Sequence, residues 1–351
     1  MYSKYFESGA FFEDTEGMKK LVYCNTTEDL EYEKNLLREW GISDLELVDV
    51  KEPDPTKIPE RLSDADGVVV IYDRIDKDLL ERCPRLKCAS VQSIGYDNLD
   101  VEAGTEFGVC MTNAPGYCEE EVAEHTAALM LALVRKIAYY DRNVRKGIWD
   151  PMIGDKTYRL SGKYFGMVFF GHIPKLVTPI VKAMGMKVLV YAPTKTTEEI
   201  YEFGCEKVDS LEELCERSDI LSLHCPLIDG VTDHLIDEKL LKRMKKTAFL
   251  INTSRGEVVD EKALVKALKE KWILGAGLDV IEDEANAQSE LFELTDCTVI
   301  TPHAAFLSED SYYMARKIAL EQQVQCLIAG KYPSYLINKD IKTIGKKRRT
   351  I

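Results

Sequence analysis

The sequence predicts an α/β protein of two doubly wound, parallel-sheet domains, and three observations carry that reading. Short apolar runs recur at residues 20–24, 45–50, 67–72, 88–92, 108–112, 167–170, 188–191, 220–224, 248–253, 276–280 and 299–301, with helical or loop segments between them. Continuous runs of this kind, unlike alternating ones, mark strands buried on both faces by helical crossovers. The length of 351 residues exceeds one domain of roughly 100–200 residues. Finally, residues 160–196, LSGKYFGMVFFGHIPKLVTPIVKAMGMKVLVYAPTKT, read as strand, tight turn, helix, strand.

Within that stretch the apolar run 167–170 ends at Gly171. Leu176, Ile180, Val181 and Met184 recur at helical spacing over 175–184, and Gly185 stops the helix before the strand at 188–191. A turn of this kind can hold a dinucleotide pyrophosphate, because free N–H groups and the helix dipole favour negative charge at a helix N-terminus. The glycine fingerprint G-x-G-x-x-G is present only at its centre. Phe169 takes the first position, Gly171 the second and Pro174 the third. Proline suits the first turn of a helix, where its missing N–H costs nothing. Phe169 is the harder substitution, since a tight turn wants no side chain there. Alone, the turn reads equally as a nucleotide site or an ordinary βαβ crossover.

In chain order, residues 1–17 form an acidic, aromatic extension without a clear pattern. A helix is expected over 28–40 from Leu30, Leu36 and Leu37, and Pro53, Pro55 and Pro59 mark a long connection. The strands up to residue 112 complete a first unit of flavodoxin-like character. Residues 119–146 carry the longest helical pattern, with Glu119, Glu120 and Glu121 at its start and Arg142, Arg145 and Lys146 at its end. Those charges suit the helix dipole, and the apolar middle predicts burial between domains or subunits. A second unit, of Rossmann character, runs from the 160–196 stretch to the strand at 299–301. A helix over 308–329 then returns the chain to the first unit.

Composition excludes several function classes. Apolar content of 45% and charged content of 30% describe a globular protein with sizeable cores. The net charge of −14 argues against nucleic acid or an anionic membrane as main partner, and the basic residues 346–349 read as a solvated tail. Ten cysteines show neither a CxxC pair nor metal-like Cys/His spacing, so no metal is expected and a reduced, cytoplasmic compartment fits. The longest apolar run, 127–134, is far short of the roughly 20 residues of a membrane span.

Five histidines are the candidates for proton chemistry. His125 lies in the apolar helix, one turn from Glu121, and reads as a core residue. His172 sits in the phosphate turn and His234 follows a loop. His224 and His303 stand at strand ends, which in open α/β sheets face the ligand crevice. Arg255 leaves the strand at 248–253, where a charge needs an anionic partner, and Glu284 follows the strand at 276–280. Arginine, carboxylate and histidine at successive strand ends are what hydride transfer to a 2-oxo acid requires. Arginine binds and polarises the carbonyl, histidine protonates it, and a neighbouring carboxylate favours the imidazolium.

With these residues in view the chain resembles the D-isomer-specific 2-hydroxyacid dehydrogenases over about residues 19–337. The motifs are SIGYDNLD at 93–100, NAPGYCEEEVAEH at 113–125, LSGKYFG at 160–166, LHCPL at 223–227, INTSRGEVVDE at 251–261, GAGLDV at 275–280 and TPHAA at 301–305. The resemblance implies Arg255 as substrate-binding arginine and Glu284 with His303 as catalytic pair. It implies substrate-carboxylate binding by backbone N–H groups at Ile94 and Gly95. Gly171, His172 and Ile173 would meet the cofactor phosphates, Cys225, Pro226, Thr253 and Asp279 would line the nicotinamide side, and His224 would also bind the cofactor. It further implies a discontinuous substrate domain (1–117 and 316–351) around a dinucleotide-binding domain (118–315), and a homodimer. Tyr96, Tyr117 and Phe306 read as pocket walls or as packing.

Two positions depart from the family pattern. One is Phe169. The other is Ala192, 21 residues after Gly171, where members using NAD carry a carboxylate for the ribose 2′-hydroxyl. Its loss removes repulsion against a 2′-phosphate that Thr194, Lys195 and Thr196 could contact, which favours NADP(H), with NAD(H) as the alternative. The expected function is reduction of a small 2-oxo acid to the D-2-hydroxy acid. Phe169 and Ala192 keep open a second reading, a non-catalytic binding or regulatory module.

Overall fold

The computed structural model describes residues 17–26, 29–154, 156–228 and 230–345. The N-terminal extension before residue 17 and the basic tail at 346–349 lie outside them. The chain divides into two compact units, one reaching to Tyr117 and resuming at Glu309, the other Cys118–Ser308.

The first unit holds strands β1 (Lys19–Cys24), β2 (Leu45–Val50), β3 (Gly67–Val70), β4 (Cys88–Val91) and β5 (Cys110–Thr112), all parallel, in the order β2-β1-β3-β4-β5. This is the flavodoxin-like doubly wound order. Its crossovers are α1 (Glu31–Trp40), α2 (Ile58–Leu62), α3 (Lys77–Arg82) and α4 (Val101–Phe107). Every residue of β3, β4 and β5 is buried, which suits their largely apolar sequence, and the two buried hydroxyls, Ser90 Oγ and Thr112 Oγ1, bond each other at 2.6 Å. Side chains of β4 alternate between two cores: Ala89 and Val91 face the α2–α3 side, while Cys88 joins Leu21 and Tyr23 on the other.

The second unit opens with α5 (Glu119–Val134) and α6 (Ile137–Arg145). Its parallel strands are β6 (Tyr164–Val168), β7 (Lys187–Tyr191), β8 (Glu206–Lys207), β9 (Ile220–Leu223), β10 (Phe249–Asn252), β11 (Gly275–Leu278) and β12 (Thr298–Ile300), ordered β12-β11-β10-β9-β6-β7-β8. The sheet therefore winds outward from β6 in both directions, the Rossmann arrangement, and its switch point lies between β6 and β9. Crossovers are α7 (His172–Ala183), α8 (Thr197–Tyr201), α9 (Leu211–Arg217), α10 (Glu238–Arg243) and α11 (Glu261–Lys269). Helix α5 packs on α7, β10 and β11. Gly277 permits that approach, since a Cβ there would stand 3.1 Å from Leu129 Cβ. The C-terminal helix α12 (Glu309–Leu327) belongs to the first unit, where Gln323 donates to Val68 O and Ser90 Oγ.

The structure departs from the sequence pattern at four places. The pattern at 119–146 is two helices, because Lys136 adopts a left-handed conformation with φ 55°. No glycine or proline announces that break. Tertiary bonds fix it, with Tyr139 Oη donating to Ile153 O at 3.1 Å and Tyr140 Oη to Pro151 O at 3.0 Å. The strand expected at 167–170 ends at Val168, so Phe169 and Phe170 form the turn, and α7 starts at His172 rather than 175. Beyond β7, β8 is a two-residue strand with no apolar run to reveal it. The return to the first unit falls at Glu309, not 316, because α12 enters that unit as a whole.

Candidate active site

Each candidate residue of the second unit follows the C-terminal end of a parallel strand or opens the helix after it. After β6, Phe169 is held at φ 71°, a left-handed conformation natural to the glycine it replaces and costing a non-glycine residue roughly 1–2 kcal/mol. Its ring packs on the core containing Val168, Leu189 and Leu223. Gly171 caps α7 with φ −85° and ψ −151°, and a Cβ built on it would meet nothing within 4 Å. The first turn of α7 contains no acidic residue. Open space before exposed helix N–H groups suits a pyrophosphate. His172 Nδ1 meets Glu119 Oε1 at 2.9 Å and Ile173 is half-buried against the α5–α7 core.

After β7, Ala192 is buried in the same core as Phe170, Val190 and Ile200. Thr194 is exposed, and Lys195 pairs with Glu199 at 3.1 Å while Thr196 caps α8. The second-strand position thus presents a methyl group and no carboxylate.

His224 follows β9, with Nε2 2.9 Å from Ser222 Oγ. Burial lowers its imidazole to about 3, so it is neutral at working pH and cannot serve as the acid, although its strand-end place made it a candidate. Cys225 is a neutral thiol, pushed up to about 12 by burial. Thr232 Oγ1 donates to Pro226 O at 2.7 Å and braces that loop. After β10, Thr253 Oγ1 meets Thr126 Oγ1 at 2.9 Å.

Arg255, Glu284 and His303 follow β10, β11 and β12. His303 Nδ1 lies 2.8 Å from Glu284 Oε2, and its Nε2 has no hydrogen-bond partner among the described residues. Both side chains are partly exposed. His303 has φ 51°, and the backbone that holds it is organised by Asp279. The His303 N–H donates to Asp279 O at 2.7 Å. Asp279 Oδ1 accepts from Thr301 Oγ1 at 2.5 Å and Ala304 N at 2.9 Å, and Oδ2 accepts from Ala305 N at 2.8 Å. The Asp279 carboxylate is therefore committed to the turn under His303. His125, read as a core histidine, joins this network, with Nε2 2.8 Å from Thr301 Oγ1 and 3.6 Å from Asp279 Oδ1.

Gly256, next to Arg255, was missed in the sequence. A Cβ there would stand 1.9 Å from Ile281 O and 2.6 Å from Glu282 N, so only glycine lets the exits of β10 and β11 touch. Asn252 Nδ2 donates to Arg255 O at 2.8 Å and fixes the arginine's backbone.

In the first unit Ile94 and Gly95 follow β4. Their carbonyls accept from Asn113 Nδ2 and Ser93 Oγ at 2.7 and 2.5 Å, while neither backbone N–H has a partner among the described residues. Tyr117 is buried, Tyr96 is exposed, and Phe306 in the second unit meets the His303 ring edge-on at 6.3 Å. Among the described residues no helix is long and apolar enough to cross a membrane, and no cluster of three His, Cys, Asp or Glu could hold a metal.

The chain is similar to known proteins over most of its length. Residues 127–305 match the D-isomer specific 2-hydroxyacid dehydrogenase, NAD binding domain. A glyoxylate reductase of Thermococcus litoralis is 42% identical over 305 residues, covering 84% of this chain and 90% of that protein. Among solved structures, an acyclic imino acid reductase (Bsp5) in complex with NADPH and D-Arg has a TM-score of 0.79 at 31% identity, covering 91% of this chain and 99% of that one. The apo-structure of D-lactate dehydrogenase from Escherichia coli has a TM-score of 0.77 at 28% identity, with coverages of 91% and 99%. A resemblance this extensive decides the class: the chain belongs to the D-isomer specific 2-hydroxyacid dehydrogenase family and is an NAD(P)-dependent dehydrogenase.

Proposed function

We propose that this enzyme reduces a small 2-oxo acid of the glyoxylate class to the D-2-hydroxy acid, with NADPH as preferred cofactor. The observation that carries the reading is the Glu284–His303 contact at 2.8 Å, with Nε2 of the imidazole left without a partner. Glu284 accepts from Nδ1–H and so orients the ring with Nε2 toward the substrate. His303 delivers the Nε2 proton to the carbonyl oxygen of the substrate. Arg255 binds the substrate's oxygens and polarises the carbonyl. When bound, the reduced nicotinamide supplies the hydride.

Gly171 and the first turn of α7 hold the cofactor pyrophosphate. Ala192 places no negative charge against a 2′-phosphate, and Thr194 and Lys195 stand beside it. That the T. litoralis relative is a glyoxylate reductase, and that the imino acid reductase was solved with NADPH, support the same choices. The enzyme works as a homodimer. Support comes from the segment after α5, where Ile137, Ile148, Trp149 and Met152 are exposed, Trp149 at 87% and Met152 at 82%, an apolar surface that a second copy would cover.

NADPH oxidation, followed by absorbance, tests the reading with glyoxylate as acceptor. Turnover with NADPH well above that with NADH is expected; no turnover with either would overturn it. Glycolate has no stereocentre, so D-specificity is read from the product of a longer 2-oxo acid.

A further inference from the structure

Glu284 is carried by the loop that leaves β11, an acidic and partly exposed segment, and it meets His303 Nδ1 at 2.8 Å. The side chain of Glu261, first residue of α11, spans both ends of that loop. Glu261 Oε2 accepts from Glu282 N at 3.1 Å and Oε1 accepts from Ser289 Oγ at 2.5 Å. In return, Glu282 Oε1 accepts from Glu261 N at 2.9 Å. The same oxygen meets His234 Nε2 at 2.7 Å, and the His234 N–H donates to Glu257 O at 2.7 Å. Between these anchors, Gly256 lets the backbone beside Arg255 touch Ile281.

We propose that Glu261 is a positioning residue for the catalytic pair: by clamping Glu282 and Ser289 it fixes the loop that presents Glu284 to His303. His234 is the brace behind Glu282. The inference rests on the roles given above to Glu284 and His303. A 2.8 Å contact between a loop carboxylate and a turn imidazole survives only if both backbones are fixed, and a displacement of about 1 Å can cost on the order of 100-fold in rate. Asp279 fixes the histidine side, and Glu261 fixes the carboxylate side. A carboxylate that merely capped α11 would need only the α11 amides, whereas both Glu261 oxygens reach outward to the loop.

The test compares Glu261→Ala with Glu261→Gln, which keeps an acceptor for Glu282 N and a group able to pair with Ser289. For Glu261→Ala, kcat should fall roughly 10- to 100-fold with KM for glyoxylate and NADPH affinity within about twofold of wild type. Glu261→Gln should recover most of that loss. Amide hydrogen exchange across residues 282–289 should speed up in the alanine variant and not in the glutamine variant. Should Glu261→Ala fail to fold, Ser289→Ala and His234→Ala, which remove one anchor each, should give smaller losses in the same direction. Wild-type kcat and unchanged exchange in Glu261→Ala would overturn the proposal. If wild type and His303→Gln are equally active, the catalytic reading itself has failed. The exchange measurement still decides whether Glu261 clamps the loop.

Discussion

The Asp279 carboxylate holds the turn on which His303 stands, through Ala304 N at 2.9 Å and Ala305 N at 2.8 Å. Both oxygens are buried and engaged, so the residue acts through backbone. Asp279→Asn replaces one acceptor by a donor that faces an N–H group. Stability should fall by about 1–3 kcal/mol, the cost of a buried unsatisfied donor, and kcat should fall at least tenfold as the His303 turn relaxes. Urea unfolding and NADPH oxidation on the same preparation check this.

Gly256→Ala places a methyl against the backbone of Ile281, and no rotamer relieves a backbone clash. A loss of about 3 kcal/mol is expected from overpacking, together with loss of turnover as Arg255 and Glu284 separate. A Tm and kcat equal to wild type would show that the two strand exits can part without consequence.

His224 makes stability depend on pH. Its native pKa is about 3 against about 6.5 in an unfolded chain. Above pH 6.5 both states are neutral and its contribution is constant. Between 6.5 and 3 the unfolded state binds a proton that the native state refuses, so stability falls as pH falls. Relative to pH 7.5, this one group should remove about 2 kcal/mol at pH 5. Urea unfolding of His224→Gln at the two pH values should show a correspondingly smaller difference than wild type.

Ala192→Asp restores a carboxylate at the end of β7. Repulsion of a 2′-phosphate should weaken NADPH by at least about tenfold, and a ribose 2′-hydroxyl partner should strengthen NADH. Calorimetric titration with each cofactor measures both. An unchanged preference would remove Ala192 from the account of specificity.

Much of the architecture was legible in the sequence because parallel strands buried on both faces leave unbroken apolar runs, as at Val68, Val69 and Val70 or Leu250 and Ile251. Strand-end position also picked out Arg255, Glu284 and His303. Other features left no local signal. The break at Lys136 depends on Tyr139 and Tyr140 reaching residues 151–153, and β8 is too short to show a pattern. Phe169 could be flagged as misplaced, but only the structure shows that it packs against the core beside Val168 and Leu223. The networks of His125 with Thr301 and of Glu261 with Glu282 and Ser289 join residues far apart in the chain. Without the fold, a core histidine and a helix-start glutamate are what such residues look like.

Protonation of the substrate by His303, with Glu284 orienting the ring, is tested most directly by kcat/KM for glyoxylate with NADPH in His303→Gln. Glutamine keeps the size and a hydrogen bond but cannot deliver a proton. A fall of roughly 100-fold or more is predicted, within the 10²–10⁴ range for general acid catalysis, with NADPH affinity retained. A variant that turns over at the wild-type rate would contradict the account.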